Sequence, residues 1–237
     1  MSAKSLARAI HPEAIEVRGE DSASPRFVVP GPAGRWWTTP WIDKTLAALA
    51  VLPFVYPLAK HFGQHLNLVE VTYLVQTLVL IATMLSRRLP VRITTNPYYW
   101  VVAFLGSYWG LFLLSVKEPG RSLVEPWAVL LLYSLSVLMD IWGRLSLGRN
   151  IGMLPAQREI VERGAYGWVR HPIYASVLIM VIVGFLTAYS VRNLALYSLG
   201  IFWFVARTLA EEEFLQKDPA YAAYMKRVRW RWFPGLL

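Results

Sequence analysis

Residues 172–190, "PIYASVLIMVIVGFLTAYS", contain no charged side chain. A helix needs roughly 20 consecutive apolar residues to cross the hydrocarbon core of a bilayer. Five other stretches of similar character lie near residues 42–59, 66–86, 98–116, 124–143 and 194–213. Their apolar residues cover every face of a helix rather than a single stripe, unlike the helices of a soluble protein. The sequence therefore predicts an all-α fold, a polytopic transmembrane helical bundle with about six spans.

The composition agrees with a membrane protein and excludes several kinds of site. The 237 residues are 56% hydrophobic and 16% charged, whereas about a quarter of the residues of a soluble domain are charged. The chain has no cysteine, which excludes disulfides, thiolate metal sites and a cysteine nucleophile. His61 and His65 are four residues apart, but without a third ligand nearby they predict no metal site.

The positive charges are distributed unequally between the two sides of the predicted bundle. Of the 24 lysines and arginines, 20 lie on the side of the amino terminus; the other four are Lys60, Lys117, Arg121 and Arg192. Because cytoplasmic loops are enriched in lysine and arginine, we predict a multi-pass protein with both termini in the cytoplasm. This distribution also explains the net charge of +9 without a nucleic-acid partner, and we predict no such partner.

The chain divides into three predicted regions. Residues 1–40 are polar and lack an apolar run, so we predict a flexible cytoplasmic arm rather than a signal peptide. Residues 41–143 hold four spans and are predicted to be a transmembrane scaffold, because the first three of these spans contain few ionisable groups. Residues 144–237 hold two further spans, and their polar segments face the same compartment. These segments can therefore build one site together.

The segment "GAYGWVRHPIY", residues 164–174, places charged side chains beside the start of a span. Proline is favoured in the first helical turn, so Pro172 predicts a helix start with His171 just outside it. The free N–H groups and the dipole of that helix end, together with Arg170, suit a carboxylate or a phosphate. The alternative is that Arg170 reaches lipid phosphates and His171 only caps the helix.

A second polar motif is "RTLAEEEFL", residues 207–215. Arg207 and Glu211 are four residues apart and share a helix face. Three consecutive glutamates point in three directions, so at least one faces protein or the membrane boundary, where ionisable groups are usually functional. The alternative is a solvated helix end, which the helix dipole disfavours.

The segments on either side of the last two spans complete the pattern. The loop over residues 145–172 contains four glycines, which allow a ligand to approach the backbone, and Tyr166 could stack on that ligand or hydrogen-bond to it. The tail alternates aromatic and basic residues, as in segments that bind lipid headgroups.

Taken together, these motifs resemble the isoprenylcysteine carboxyl methyltransferase family, part of a broader group of membrane methyltransferases that includes phospholipid N-methyltransferases. The resemblance extends over residues 144–235 and rests on Leu147–Gly148, "GAYGWVRHPIY", Glu211 and Glu212 followed by Leu215, and Tyr221, Tyr224 and Val228. It implies a helical membrane enzyme that binds S-adenosylmethionine in a cytoplasmic pocket of the C-terminal half. The methyl group would pass to a membrane lipid or a lipidated small molecule, such as an isoprenylcysteine-like carboxylate.

The resemblance also implies the residues of the site. The expected cofactor pocket consists of Leu147, Gly148, Tyr166, Arg170, His171, Pro172, Tyr174, Glu211 and Glu212. Arg170 and Glu212 are the expected catalytic residues: Arg170 would anchor an anionic group, and Glu212 would take the proton of an amine acceptor. Three alternatives stay open, namely a phospholipid amine N-methyltransferase, a sterol-reductase-like enzyme that uses NADPH, and a non-catalytic lipid-binding or assembly protein.

Overall fold

The computed structural model describes residues 15–17, 26–28, 39–61, 68–90 and 92–236. Six long helices dominate them: α1 (Pro40–His61), α2 (Leu68–Leu85), α3 (Pro97–Val116), α4 (Pro126–Leu147), α5 (Pro172–Thr187) and α6 (Val191–Leu215). A short helix α7 (Pro219–Arg227) follows. The strands form two antiparallel pairs, β1 (Ile15–Val17) with β2 (Arg26–Val28), and β3 (Arg92–Ile93) with β4 (Ala156–Gln157).

The helices coincide with the six predicted apolar stretches, and the predicted helical fold is confirmed. Within the part of the chain that the structure describes, two segments, Pro126–Asn150 and Val191–Leu215, are long and apolar enough to cross a membrane. The apolar segments Val71–Leu85 and α5 are shorter. At 1.5 Å per residue, the 16 residues of α5 rise about 24 Å, less than the roughly 30 Å of a bilayer core. Six complete crossings therefore stay a prediction.

Local sequence signals explain where several helices begin. Helices α3, α4, α5 and α7 each begin with a proline, whose fixed φ angle and missing N–H suit the first turn. The predicted start at Pro172 is confirmed, with His171 in the non-helical position before it. The side chain of Ser190 accepts a hydrogen bond from the Asn193 N–H at the start of α6, as expected for a helix cap.

The six long helices form an open ring around a cavity. In spatial order, α1 packs on α2, α2 on α4, α4 on α5, α5 on α6, and α6 on α3. Among the described residues, α3 and α1 have only sparse backbone contact, so the ring is open between them. The Tyr108 hydroxyl crosses this opening and donates a hydrogen bond of 2.9 Å to the Ala50 carbonyl.

Glycines bring α3 and α6 close together. A Cβ atom added to Gly106 would lie 2.9 Å from the Arg207 Cδ and 3.2 Å from the Trp203 carbonyl oxygen. One turn further along this contact between α3 and α6, which we call the α3–α6 seam, Trp109 packs against Gly200. Its indole N–H donates to the Leu196 carbonyl at 3.0 Å. The position of Arg207 therefore depends on the missing side chain of Gly106.

We predict that Gly106→Ala lowers the free energy of unfolding by about 1–3 kcal/mol, because the new methyl group overpacks this seam. Thermal unfolding in detergent measures the change. Gly110→Ala is the matched control, since a Cβ atom there would meet nothing within 4 Å. Alanine also favours a helix over glycine, so the control should gain up to about 1 kcal/mol. Equal destabilisation of both variants would contradict the close approach at Gly106.

The loops lie at the two ends of the bundle, in the two groups that the distribution of lysine and arginine predicted. At one end, the Arg88 N–H donates to the Arg149 carbonyl at 2.7 Å, and β3 pairs with β4. At the opposite end, Arg121 and Tyr189 exchange two backbone hydrogen bonds of 2.9 Å. The basic loops predicted to be cytoplasmic thus lie together, and their orientation in the membrane stays a prediction.

Parts of two predictions lie beyond the described residues. Of the predicted arm, the structure describes only β1, β2 and the start of α1. His65 and the side chains of Lys60 and His61 lie outside the described part. The flexibility of the arm and the prediction of no metal site therefore stay predictions.

Candidate active site

The C-terminal tail pairs with the segment that precedes α5. The Arg170 N–H donates to the Trp230 carbonyl and the His171 N–H to the Arg231 carbonyl, each at 2.9 Å. The Tyr224 hydroxyl donates to the Tyr166 carbonyl at 2.8 Å. These bonds hold the tail against the amino-terminal end of α5.

Glu212 lies at the centre of a buried ion cluster and is only 4% exposed. Its Oε1 is 2.7 Å from the Arg170 Nε and 3.0 Å from the His171 Nε2. Its Oε2 accepts a hydrogen bond of 2.9 Å from the Arg231 Nε. The Arg170 Nη1 also donates to the carbonyls of Val228 and Arg229, at 2.9 and 2.6 Å. Arg170 and Glu212 therefore lie together, and both are engaged by protein groups.

Glu211 has a different environment from its neighbour. It accepts a hydrogen bond from the Tyr174 hydroxyl. The Tyr174 ring stacks on His171 with centroids 5.1 Å apart and planes inclined by 9°. The guanidinium carbon of Arg207 lies 5.0 Å from the centroid of the same ring. Tyr174 thus links the segment before α5 to the two charged residues of α6.

Arg207 is a buried cation, 6% exposed. It donates to the Ser107 hydroxyl and, at 3.1 Å, to the Met153 carbonyl. Within the part of the chain that the structure describes, it forms no ion pair with a carboxylate. Glu211 shares its helix face, as the four-residue spacing predicted, but Glu211 bonds to Tyr174. A desolvated cation without an anionic partner is costly and is a suitable anchor for an anionic ligand.

A cavity of about 1440 Å³ fills the ring of helices. Its end near the basic loops is lined by polar side chains: Gln157, Arg158, Tyr166, Glu211, Asp218 and Tyr221. The part between the helices is mainly apolar and includes Val177, Met180, Val181, Gly184, Gly200 and Phe204. We call this part the apolar limb. Arg207 and Tyr174 line the cavity between the polar end and the apolar limb.

The predicted site residues divide into two groups. Six line the cavity: Leu147, Tyr166, Arg170, His171, Tyr174 and Glu211. The other three, Gly148, Pro172 and Glu212, do not line it. Gly148 has a φ angle of 53°, which favours glycine, and ends α4. Pro172 and Glu212 are buried and support the residues around them. Cofactor binding by any of the nine stays a proposal.

The structure adds cavity residues that the motifs did not identify, notably Asn150 and Arg158. Both belong to the glycine-containing loop, but nothing in its sequence distinguishes them from its other polar residues. The Asn150 Oδ1 is buried and has no hydrogen-bond partner among the described residues. A buried acceptor without a partner is rare in proteins, and this one fits a donor group of a ligand.

Burial controls the protonation of the loop and tail residues around the polar end. It raises the pKa of the Tyr166 hydroxyl well above its ordinary value, and the nearby Glu211 adds to the shift. Burial likewise raises the pKa values of Tyr221 and Tyr224. Burial, reinforced by Arg87, lowers the pKa of Arg158 to about 10. At neutral pH the tyrosines are therefore hydroxyl donors, and Arg158 carries a positive charge.

Residues 129–217 match the family model described as the isoprenylcysteine carboxyl methyltransferase (ICMT) family. These residues form an ICMT-family region. The resemblance inferred from the sequence motifs is confirmed for the matched residues, and the match supports a membrane methyltransferase in general. The ICMT-family region covers α4 to α6 and contains both Arg170 and Arg207. A search of curated proteins gives no match to the chain.

Proposed function

We propose that the protein transfers a methyl group from S-adenosylmethionine to an anionic group of a lipophilic acceptor. One observation carries this proposal: a single cavity joins a polar end at the loops to an apolar limb between the helices, and Arg207, a buried cation without a carboxylate partner among the described residues, lies between them. A water-borne cofactor and a lipid-borne acceptor can thus meet in one chamber.

The polar end has groups that fit S-adenosylmethionine. The Asn150 Oδ1 and the Glu211 carboxylate are acceptors for amino or hydroxyl groups. The Tyr166 and Tyr221 hydroxyls can donate to ribose or carboxylate oxygens, because their raised pKa values keep them protonated. S-adenosylmethionine, when bound, supplies an electrophilic methyl group on a sulfonium centre. These four residues would hold the cofactor's polar groups.

The apolar limb suits the chain of an acceptor. Tyr174, Val177, Val181 and Gly184 of α5 all line the cavity. From Tyr174 to Gly184 the helix rises about 15 Å, at 1.5 Å per residue. An anionic head bound to Arg207 would therefore place its hydrocarbon chain along the limb. Holding two reactants at near-attack distance in a dry site is a large source of rate enhancement.

The ion cluster favours a carboxylate acceptor over an amine. A carboxylate arrives ionised and needs no base. An amine must lose a proton, and both oxygens of Glu212 are engaged by Arg170, His171 and Arg231. We therefore propose that Glu212 and Arg170 position the tail and α5, and that Arg207 holds the acceptor's anion.

Purified protein incubated with a membrane extract and S-adenosylmethionine carrying a labelled methyl group tests the function. Mass spectrometry of the extract should identify a labelled methyl ester on a lipophilic carboxylate. A labelled phospholipid amine would support the N-methyltransferase alternative instead. Displacement of bound S-adenosylmethionine by NADPH would favour the reductase alternative. Binding of the cofactor without any labelled product would indicate a non-catalytic protein.

We predict that Glu211→Gln weakens S-adenosylmethionine binding by about 10- to 100-fold, because a hydrogen bond to a charged group contributes about 1.5–3 kcal/mol. Calorimetry in detergent measures the affinity. Glu213→Gln is the control, since Glu213 is exposed and does not line the cavity. Equal affinity of the two variants would remove Glu211 from the proposed cofactor site.

A further inference from the structure

An ion pair in α4 has no part in the function proposed above. The Arg144 Nε donates to the Asp140 Oδ2 at 2.7 Å, one helical turn earlier in the chain. The Asp140 side chain is 5% exposed and the Arg144 side chain 15%. Because the desolvation of two buried ions often cancels their attraction, stability alone does not explain this pair. Ionisable groups within a membrane span are usually functional.

Arg144 presents hydrogen-bond donors to the cavity. A guanidinium has N–H donors on Nε, Nη1 and Nη2, and the Asp140 carboxylate accepts only the donor on Nε. Among the described residues, Nη1 and Nη2 of Arg144 have no hydrogen-bond partner. Asp140 and Arg144 both line the cavity. Asp140 thus fixes one edge of the guanidinium, and the other edge can bind a carboxylate in a bidentate manner.

The loop before α5 brings Tyr166 to the end of α4. The Ala165 N–H donates to the Ser146 hydroxyl at 3.1 Å, which holds the loop against this helix. Gly164 has a φ angle of 60°, and a Cβ atom there would overlap the Ser146 hydroxyl. Tyr166 lines the cavity, and no described residue forms a hydrogen bond with its hydroxyl. This hydroxyl is therefore a further donor for a ligand.

Two opposite charges act on the Tyr166 hydroxyl. Burial and then Glu211 raise its pKa, whereas Arg144 opposes the rise. Because the interaction of charges weakens with distance, Arg144 of α4 and Glu211 of α6 both lie near this hydroxyl. Glu211 accepts a hydrogen bond from Tyr174 through Oε2, and its Oε1 has no hydrogen-bond partner among the described residues. The polar end thus presents a cation, a hydroxyl and a carboxylate to the same ligand.

We propose that Arg144, positioned by Asp140, binds the α-carboxylate of S-adenosylmethionine together with the Tyr166 hydroxyl. Glu211 binds the ammonium group on the same carbon atom. The amino-acid end of the cofactor carries these two opposite charges side by side, as this part of the cavity does. Arg207 then binds the anion of the acceptor, so that each of the two anions has its own arginine. The assignment rests on the function proposed above for the identity of the cofactor.

Two other arginines of the polar end fit the carboxylate less well. Arg170 is engaged by the ion cluster and by two carbonyl groups of the tail. The Arg158 Nε donates to the Arg88 carbonyl beside the end of α2, and no described carboxylate forms an ion pair with Arg158. Only Arg144 among these three combines a carboxylate that fixes Nε with terminal nitrogens that are open to the cavity.

Two nucleosides that differ in the amino-acid end test the assignment. S-adenosylhomocysteine carries the carboxylate and the ammonium group, and methylthioadenosine lacks both. Calorimetry of the whole protein in detergent measures each affinity. Arg144→Gln should weaken S-adenosylhomocysteine binding by about 10- to 100-fold, as expected for lost hydrogen bonds to a charged group, and leave methylthioadenosine binding unchanged. Arg149→Gln is the control, because it removes a charge from an exposed position that does not line the cavity.

Asp140→Asn tests the positioning role. It should weaken S-adenosylhomocysteine binding less than Arg144→Gln does, because asparagine can accept the same hydrogen bond but lacks the charge that holds the guanidinium. The variant with both substitutions should bind no more weakly than Arg144→Gln alone, since Asp140 acts through Arg144. This double variant leaves no buried charge of the pair uncompensated, so it provides the comparison if Arg144→Gln alone does not fold. Losses that add in the double variant would contradict the positioning role.

Equal losses for both nucleosides in Arg144→Gln, or a selective loss in Arg158→Gln in place of Arg144→Gln, would overturn the assignment. Unchanged affinities together with a raised KM for the acceptor would overturn it too, because Arg144 would then bind the acceptor. If neither nucleoside binds to the wild-type protein, the proposed function and the assignment both fail. If the affinities follow the expected pattern and no acceptor is methylated, the assignment stands and the proposed function fails.

Discussion

Glu212→Gln should lower the free energy of unfolding by about 3–5 kcal/mol, because it leaves the buried Arg170 and the partly buried Arg231 without their shared counter-charge. For a chain of this size, the midpoint of thermal unfolding should fall by roughly 10 °C. The tail should also detach from the segment before α5, so that S-adenosylmethionine binding and methyl transfer are lost together. Thermal unfolding in detergent and calorimetry measure the two effects.

The neighbouring glutamate provides the control for this prediction. Glu213→Gln changes the same charge on the same helical turn, but Glu213 is exposed, and exposed charges contribute about 0–1 kcal/mol. Its hydrogen bond with Tyr99 can also form with glutamine, whose side-chain oxygen is an acceptor. Proteolysis of the tail gives a second readout, since cleavage after Arg229 or Arg231 should accelerate in Glu212→Gln alone. If Glu212→Gln instead kept normal stability and lost only activity, Glu212 would take part in methyl transfer itself.

Arg207→Gln should lower kcat/KM for the lipophilic acceptor by about 10²- to 10³-fold, the usual effect of removing one charged group that orients a reacting anion. The affinity for S-adenosylmethionine should be nearly unchanged, because Arg207 contacts Ser107, Met153 and the Tyr174 ring, and none of these is among the four residues proposed to hold the cofactor's polar groups. Stability should also change little, since Arg207 has no described carboxylate partner to leave uncompensated. Methyl transfer, calorimetry and thermal unfolding distinguish these effects.

Arg207→Lys tests whether the positive charge alone is sufficient or the guanidinium geometry is also needed. Lysine keeps the positive charge but loses the planar fork that can bond the Ser107 hydroxyl, the Met153 carbonyl and an anion together. Partial recovery relative to Arg207→Gln is therefore expected. If Arg207→Gln weakened cofactor binding as strongly as turnover, Arg207 would bind the carboxylate of the cofactor rather than the anionic group of the acceptor.

The sequence predicted the helices more completely than it predicted the site. Long apolar runs and prolines in first turns are local signals, so α5 was predicted to begin at Pro172 and does. The motifs also brought Arg170, Tyr174 and Glu211 into one site, because the positive-inside rule places their segments at the same end of the bundle. They could not separate Glu211, which lines the cavity, from Glu212, which lies behind it. That difference depends on how α6 is rotated against its neighbours.

The sequence by itself determined a helical membrane protein, the ends at which its polar loops lie, and the resemblance to a methyltransferase family that the match over residues 129–217 supports. These properties follow from hydrophobicity, charge and short motifs, which act over a few residues. Only the tertiary structure decided that Glu212 binds two arginines and a histidine, that Arg207 faces the cavity without a described carboxylate partner, and that the ring opens between α1 and α3. Each of these depends on contacts between residues far apart in the chain, and side-chain pairing across packed helices leaves no periodic signal in the sequence.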